Sequence, residues 1–291
     1  MNIVNKLLVL NRRKQAAKQL GFNFRRAADF SLPAEIRLNS RNVSLQLPQD
    51  EGTRTAFVDL LLDDCYRLRS LPKNIGTILD VGAHAGLFSM AARIAFHDAT
   101  IHAYEPNPQM LPLLSNQSRV GEFSYFGEAV GLAEGRMSLS SGADSVHTRA
   151  NRTDEGEIHC VSFAQAVERL GGLVDLVKLD CEGAEWEILK DESTWKKVRH
   201  LTMEFHLWAG YTLEQLKTRV DQLGFRISEC QVCGQDFGLL QASLPGRRST
   251  GTEMFSMVCR SDKIVKICVS FNDTMTESCP CRISSPASRR V

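Results

Sequence analysis

Ile78-Leu79-Asp80-Val81-Gly82-Ala83-His84-Ala85-Gly86 is an apolar run that closes on an acid and two spaced glycines. The β-branched and apolar residues of Thr77–Val81 predict a buried strand, and the apolar stretch 87–96 predicts a helix after it. Gly82 and Gly86 let the chain turn tightly between the two and bring its backbone close to a ligand.

Working outward, the same alternation repeats. Strands are expected at Thr100–Tyr104, 123–126, 174–179 and 200–205, and helices at 108–117, 163–170 and from Glu185. Residues 131–161, rich in Gly, Ser and Asp, read as hairpins and loops. Strand–helix alternation of this kind predicts an α/β fold with a doubly wound, mostly parallel sheet, in which ligands lie beyond the carboxyl ends of the strands. Upstream, residues 1–40 read as a basic helical extension, 43–47 as a short strand, and 53–68 as a helix with Thr53 as its N-cap. Downstream, Thr212 and Gln215 form a capping box and Gly224 a stop. Two stretches, 226–230 and 254–258, read as an antiparallel end of the sheet. The expected division is thus an extension over 1–40, a domain over 41–262 and a loosely ordered tail over 263–291.

With 35 Lys and Arg against 34 Asp and Glu, bulk charge gives no reason to expect a nucleic-acid partner. No apolar run reaches the length that crosses a bilayer, and the charges after Leu7–Leu10 are misplaced for a secretory signal. The leader is expected to pack on the domain. Its alternative is peripheral contact with an anionic membrane through Ile3, Val4, Leu7, Leu8 and the basic residues up to Arg26. The nine cysteines, odd in number and without framework spacing, point to reduced thiols in a cytoplasm; Cys230 and Cys233 form a single CxxC with no second pair for zinc.

Three strand ends carry the chemistry. At the first, the glycine spacing is wrong for a dinucleotide, and Asp80 would repel a pyrophosphate. It would attract the ammonium of an amino-acid tail, so the adenosine cofactor that fits is S-adenosyl-L-methionine. At the second, Glu105-Pro106-Asn107 places an acid where it can accept both ribose hydroxyls. At the third expected strand, backbone groups of Glu128 and Ala129 could read an adenine edge. The segment Lys178-Leu179-Asp180-Cys181-Glu182-Gly183-Ala184-Glu185 puts Asp180 and Glu182 on a turn beside the expected sulfonium.

These pieces, with Glu204-Phe205-His206, occur in an order that resembles the FkbM family of methyltransferases, and Lys-x-Asp-x-Glu-Gly-Ala-Glu is the most specific of them. His84 stands where class I methyltransferases commonly have the middle glycine of their first motif. The resemblance implies a Rossmann-like fold and an O-methyltransferase that uses S-adenosyl-L-methionine on a hydroxyl of a small molecule, sugar or glycolipid. By it, Asp80, Gly82, Gly86 and Glu105 are carried over as cofactor residues, and Asp180, Glu182 and Gly183 as active-site residues. Ala83, His84, Pro106, Asn107, Glu128, Ala129 and Asp180 are expected to complete the cofactor site.

A hydroxyl gains from a general base, and Asp180, Glu182 and His206 are the candidates. A divalent metal on Asp180, Glu182 and Glu204 would also activate a hydroxyl, but carboxylates stand at such strand ends without one, and no metal ligand is assigned. Trp186, Trp195 and Trp208 read chiefly as core, and Asp144, Ser145 and His147 as shaping an acceptor pocket. Competing readings are a non-catalytic protein that binds the cofactor for sensing or assembly, an NAD-linked dehydrogenase and a nucleic-acid methyltransferase.

Overall fold

The strand read from Ile78 lies at the centre of a seven-stranded sheet in the computed structural model, which describes residues 3–26, 30–140, 149–152, 156–207 and 210–245. Helix α1 (Ile3–Gln19) and the antiparallel hairpin β1 (Glu35–Leu38) and β2 (Arg41–Ser44) come first. Then follow α2 (Glu51–Phe57), a π-helical turn over Val58–Leu62 and a 3-10 turn over Leu68–Ser70. The alternating part runs β3 (Thr77–Val81), α3 (Leu87–Ala95), β4 (Thr100–Tyr104), α4 (Leu111–Gly121) and β5 (Ser124–Phe126).

An insert of short strands follows: β6 (Ala129–Gly131), β7 (Gly135–Ser140), β8 (Arg149–Arg152) and β9 (Ile158–Ser162). The chain returns through α5 (Phe163–Arg169), β10 (Val174–Leu179), α6 (Glu185–Ile188), α7 (Glu192–Trp195), β11 (Val198–His206) and α8 (Leu213–Gln222). It ends in β12 (Arg226–Val232) and β13 (Phe237–Ser243).

The large sheet has the order β12-β13-β11-β10-β3-β4-β5. The run from β11 to β5 is parallel; β13 and β12 close the edge antiparallel. The mostly parallel α/β fold is therefore as expected. The chain winds one way from β3 through β4 to β5 and the other way through β10 and β11, so the crevice opens at the carboxyl ends around β3.

Each face of the sheet carries its own core, as pleating demands. Ile78 and Leu176 point to the face covered by α3 and the N-terminal segments; Leu79, Val81, Val177 and Leu179 point to the face covered by α5 to α8. Ala16, Ala17 and Leu20 lie in the same core as Phe57 and Phe88, so the leader and the sheet share one core. α1 is tied down by Arg13, whose guanidinium donates to Asp63.

Several boundaries differ from expectation. The first N-cap is Asp50, whose Oδ1 accepts from Thr53 N at 2.7 Å, while Thr53 is buried inside the turn. The helix expected over 53–68 breaks because Asp64 and Arg67 are left-handed, and Asp64 caps the next turn by accepting from Leu68 N and Arg69 N. The short strand expected at 43–47 is Arg41–Ser44. The antiparallel partner of β12 is β13; the stretch 254–258 expected in that place, the tail, Asp144, Ser145, His147 and Trp208 lie outside the described residues.

Candidate cofactor and methyl-transfer site

The parallel register sets Lys178 of β10 beside Asp80 of β3. Both side chains end on the α3 face, where Lys178 Nζ lies 3.2 Å from Asp80 Oδ1 and Ser89 Oγ donates to Asp80 Oδ2 at 2.7 Å. Asp80 has no exposed surface and does not line the cleft. The cationic tail expected to meet it finds its charge already matched by Lys178. Burial alone would lower the Lys178 ammonium, but the carboxylates of Asp80 and Asp180 outweigh it and hold it well above its ordinary value. Lys178 Nζ also donates to the carbonyls of Gly82 and Val81, so this buried pair fixes the glycine turn from beneath.

Gly82 has φ +77°, and a Cβ on it would fall 1.8 Å from the carbonyl oxygen of Asp180. Two strand ends therefore touch backbone to backbone here. Gly86 starts α3 at φ +82° and packs against Leu114, away from the cleft. His84 also lies in the left-handed region at φ +49°, a conformation histidine adopts more readily than most non-glycine residues.

The reason lies in Glu105. Its Oε2 accepts from His84 N at 2.7 Å and its Oε1 from Asn107 N at 2.8 Å. Burial pushes this carboxyl up to about 7, against the pull of those two amides and of Lys178. Each carboxylate oxygen has a second lone-pair direction, so both remain able to accept from a diol.

Gly82, Ala83, His84, Glu105, Pro106, Asn107, Glu128, Ala129, Asp180 and Glu182 line one cleft enclosing about 1000 Å³, open solvent at its mouth included. Its apolar wall is formed by Leu87, Phe88, Val130 and Met137. Glu128 places its carboxylate on Arg169 and on His159 Nδ1, leaving the backbone of Glu128 and Ala129 at the cleft.

On the far side the motif segment folds into a compact turn. Glu182 is left-handed at φ +55° and Gly183 follows at φ +105°. Glu185, buried to 1%, closes this turn by accepting from Cys181 N and Gly183 N, each at 2.8 Å. Asp180 Oδ2 accepts from the Tyr66 hydroxyl at 3.0 Å and lies 3.5 Å from Lys178 Nζ. His206, buried at the end of β11, has Nδ1 3.2 Å from Glu185 Oε1. Its Nε2 lies 3.9 Å from Glu182 Oε2 and 3.8 Å from Glu204 Oε1.

The structure thus brings together Asp180, Glu182 and His206. Burial, then the Asp180 carboxylate, holds Glu204 above the ordinary carboxylate range. For His206, burial acts downward, but the Glu185 hydrogen bond and the surrounding carboxylates prevail and raise it.

Tyr66 is the residue at this site that the sequence did not mark. It falls in the stretch read as helix, and only Asp64, a turn-former just ahead, hinted that the chain reverses there. Trp195 is fully buried, and Trp186 stacks on Tyr211 with ring centres 3.9 Å apart, as core packing requires.

Residues 80–227 match the family described as the methyltransferase FkbM domain, just over half of the chain. The chain belongs to the FkbM methyltransferase family. It is 27% identical over 213 residues to methyltransferase sdnD of Sordaria araneosa, covering 59% of this chain and 82% of that one. It is 22% identical over 200 residues to methyltransferase 1 of Beauveria bassiana strain ARSEF 2860, covering 58% and 80%. Among solved structures, the fibrillarin pre-rRNA processing protein of Methanococcus jannaschii aligns over 78% of this chain and 87% of its own, at 13% identity and a TM-score of 0.44.

The cofactor of this FkbM protein is S-adenosyl-L-methionine. The cleft suits it: a buried acid for a ribose diol, an apolar wall, a backbone cradle at Gly82 that a Cβ would fill, and carboxylates beyond. No helix among the described residues is long and apolar enough to cross a membrane.

Proposed function

We propose that this FkbM methyltransferase methylates a hydroxyl oxygen of a small molecule, sugar or glycolipid. S-adenosyl-L-methionine, when bound, supplies a sulfonium methyl: the carbon–oxygen bond forms as the carbon–sulfur bond breaks, leaving S-adenosylhomocysteine and a proton.

The proton is what the chain's residues must manage. The observation carrying the reading is the cluster of Asp180 and Glu182, which line the cleft, with His206 buried beside them. Asp180 is oriented by Tyr66 and Lys178, and His206 by Glu185, so the cluster is held in place before any acceptor arrives. Glu105 orients the cofactor's ribose, and Asp80 acts one step back by holding Lys178 under the glycine turn. Bulk charge near zero favours a small neutral acceptor over a nucleic acid.

The free thiols of Cys65, Cys160, Cys181, Cys230 and Cys233 favour a cytoplasmic setting. The exposed Val4, Leu7 and Leu8 on α1 favour contact with an anionic membrane surface, on which a glycolipid acceptor would lie.

The test is methyl transfer from labelled S-adenosyl-L-methionine to a panel of hydroxylated small molecules, sugars and glycolipids. Transfer to an oxygen is expected from the wild-type chain. Asp180→Asn and His206→Gln should lower turnover on the order of 100-fold or more, while the affinity of His206→Gln for S-adenosylhomocysteine changes only a few-fold. Transfer to nitrogen or carbon would overturn the oxygen assignment. Cofactor binding with no acceptor methylated would favour the sensing role instead.

A further inference from the structure

We propose that Asp180 and Glu182, on the wall of the cleft, and His206, buried beside them, form a divalent-cation site; this rests on the methyl-transfer reading of that cleft and deepens it. One donor atom from each residue lies within 4.8 Å of the others. Cation–donor bonds of about 2.0–2.2 Å place two ligands of one ion roughly 3 to 4 Å apart. The Nε2–oxygen separation of 3.9 Å to Glu182 is in that range.

The residue behind the imidazole supplies a second, independent indication. Glu185, buried to 1%, lies 3.2 Å from His206 Nδ1 and is itself fixed by the amides of Cys181 and Gly183. A carboxylate on Nδ1 puts the proton there and turns the Nε2 lone pair toward Glu182 and Glu204, which is how a metal-binding histidine is oriented from behind. Asp180 is held in a comparable way, since Tyr66 and Lys178 both address its Oδ2.

Charge points the same way. Asp180, Glu182, Glu185 and Glu204 surround this imidazole, while the nearby ammonium of Lys178 is shared with Asp80. An ion of charge +2 offsets the excess. Two carboxylates with one imidazole suit a hard or borderline ion such as Mn²⁺ better than thiolate-seeking Cu⁺. Such an ion would hold an acceptor hydroxyl and lower its pKa, the task otherwise left to a base.

The test is direct. Chelator-treated, full-length protein is titrated with Mn²⁺ alone and the loss of the free-ion electron paramagnetic resonance signal is followed. In parallel the same metal-free protein is titrated with S-adenosylhomocysteine. One saturable Mn²⁺ site is expected, with nitrogen coupling from an imidazole in the pulsed spectrum. His206→Gln should remove that coupling, and Glu182→Gln should weaken binding at least tenfold. Glu168→Gln, a change at an exposed pair with Lys197, should leave binding as it is. Thermal unfolding of each variant shows that it is folded, and Glu182→Gln decides alone if His206→Gln is not. Binding of S-adenosylhomocysteine without saturable Mn²⁺ binding, or Mn²⁺ binding indifferent to His206→Gln and Glu182→Gln, would overturn the cation site and leave the methyl-transfer reading standing. Failure of S-adenosylhomocysteine to bind would strike that reading instead.

Discussion

Asp80 stands out in the sequence, and the ion pair it makes does not. Its position before the glycine turn is visible in the sequence. Its partner is not, because Lys178 reaches it only through the parallel register of β3 and β10, some hundred residues apart in the chain. A buried ion pair that loses one member leaves a bare charge behind. Lys178→Met should therefore cost about 3–5 kcal/mol of folding stability, and Asp80→Asn in the same chain should return part of it, as read by urea unfolding.

Glu105 gives a pH dependence with a definite sign. Its carboxyl is raised to about 7 by burial, so the folded protein holds that proton more tightly than the unfolded chain does. Folding stability from this group is accordingly lost as pH rises from its ordinary value toward 7. A diol needs the carboxylate, so cofactor affinity should move the opposite way. The affinity for S-adenosylhomocysteine should fall as pH drops below about 7, by up to about tenfold per pH unit, and Glu105→Gln should flatten that slope in calorimetric titrations from pH 5.5 to 8.

Elements were legible where periodicity was strong and the capping residues were local. β3, β4 and β10 fall where the apolar runs put them, and the Thr212–Gln215 capping box is present with both of its hydrogen bonds. The misses have local causes. The break after α2 comes from two left-handed residues, Asp64 and Arg67, that no periodicity reveals. β13 is not legible in the sequence because Phe237-Gly238 begins it with a residue that weakens strand propensity; Gly238 is needed because a Cβ there would meet the Gln231 carbonyl at 2.3 Å.

The same reasoning makes the turn between β3 and α3 intolerant of side chains. Gly82→Ala combines a left-handed φ with a Cβ inside the Asp180 backbone. It should cost about 2 kcal/mol or more and pull the ends of β3 and β10 apart. A fall in melting temperature together with loss of S-adenosylhomocysteine binding is the expected result.

At the scale of the molecule, the order of strands brings four of the candidates to one edge. The carboxyl ends of β3, β4, β10 and β11 supply Gly82, Glu105, Asp180 and His206, residues scattered over the sequence. That convergence could be inferred from strand–helix alternation alone. The contribution of Tyr66 from outside the alternating part could not. The basic leader belongs to this scale too. Its Val4, Leu7 and Leu8 are 56–62% exposed on a helix whose other end is anchored by Arg13 to Asp63. Sedimentation with vesicles containing anionic lipid should carry the chain down, neutral vesicles should not, and Leu7→Asp with Leu8→Asp should abolish the effect.

Methyl transfer at this site requires the cleft between Gly82, Glu105 and Asp180 to be the cofactor's seat. The most direct measurement is isothermal titration of the wild-type chain and of Glu105→Ala with S-adenosylhomocysteine. The expected result is one saturable site, weakened at least about 100-fold by the substitution, the loss of two charge-assisted hydrogen bonds. No binding to the wild-type chain, or equal affinity in Glu105→Ala, would contradict it.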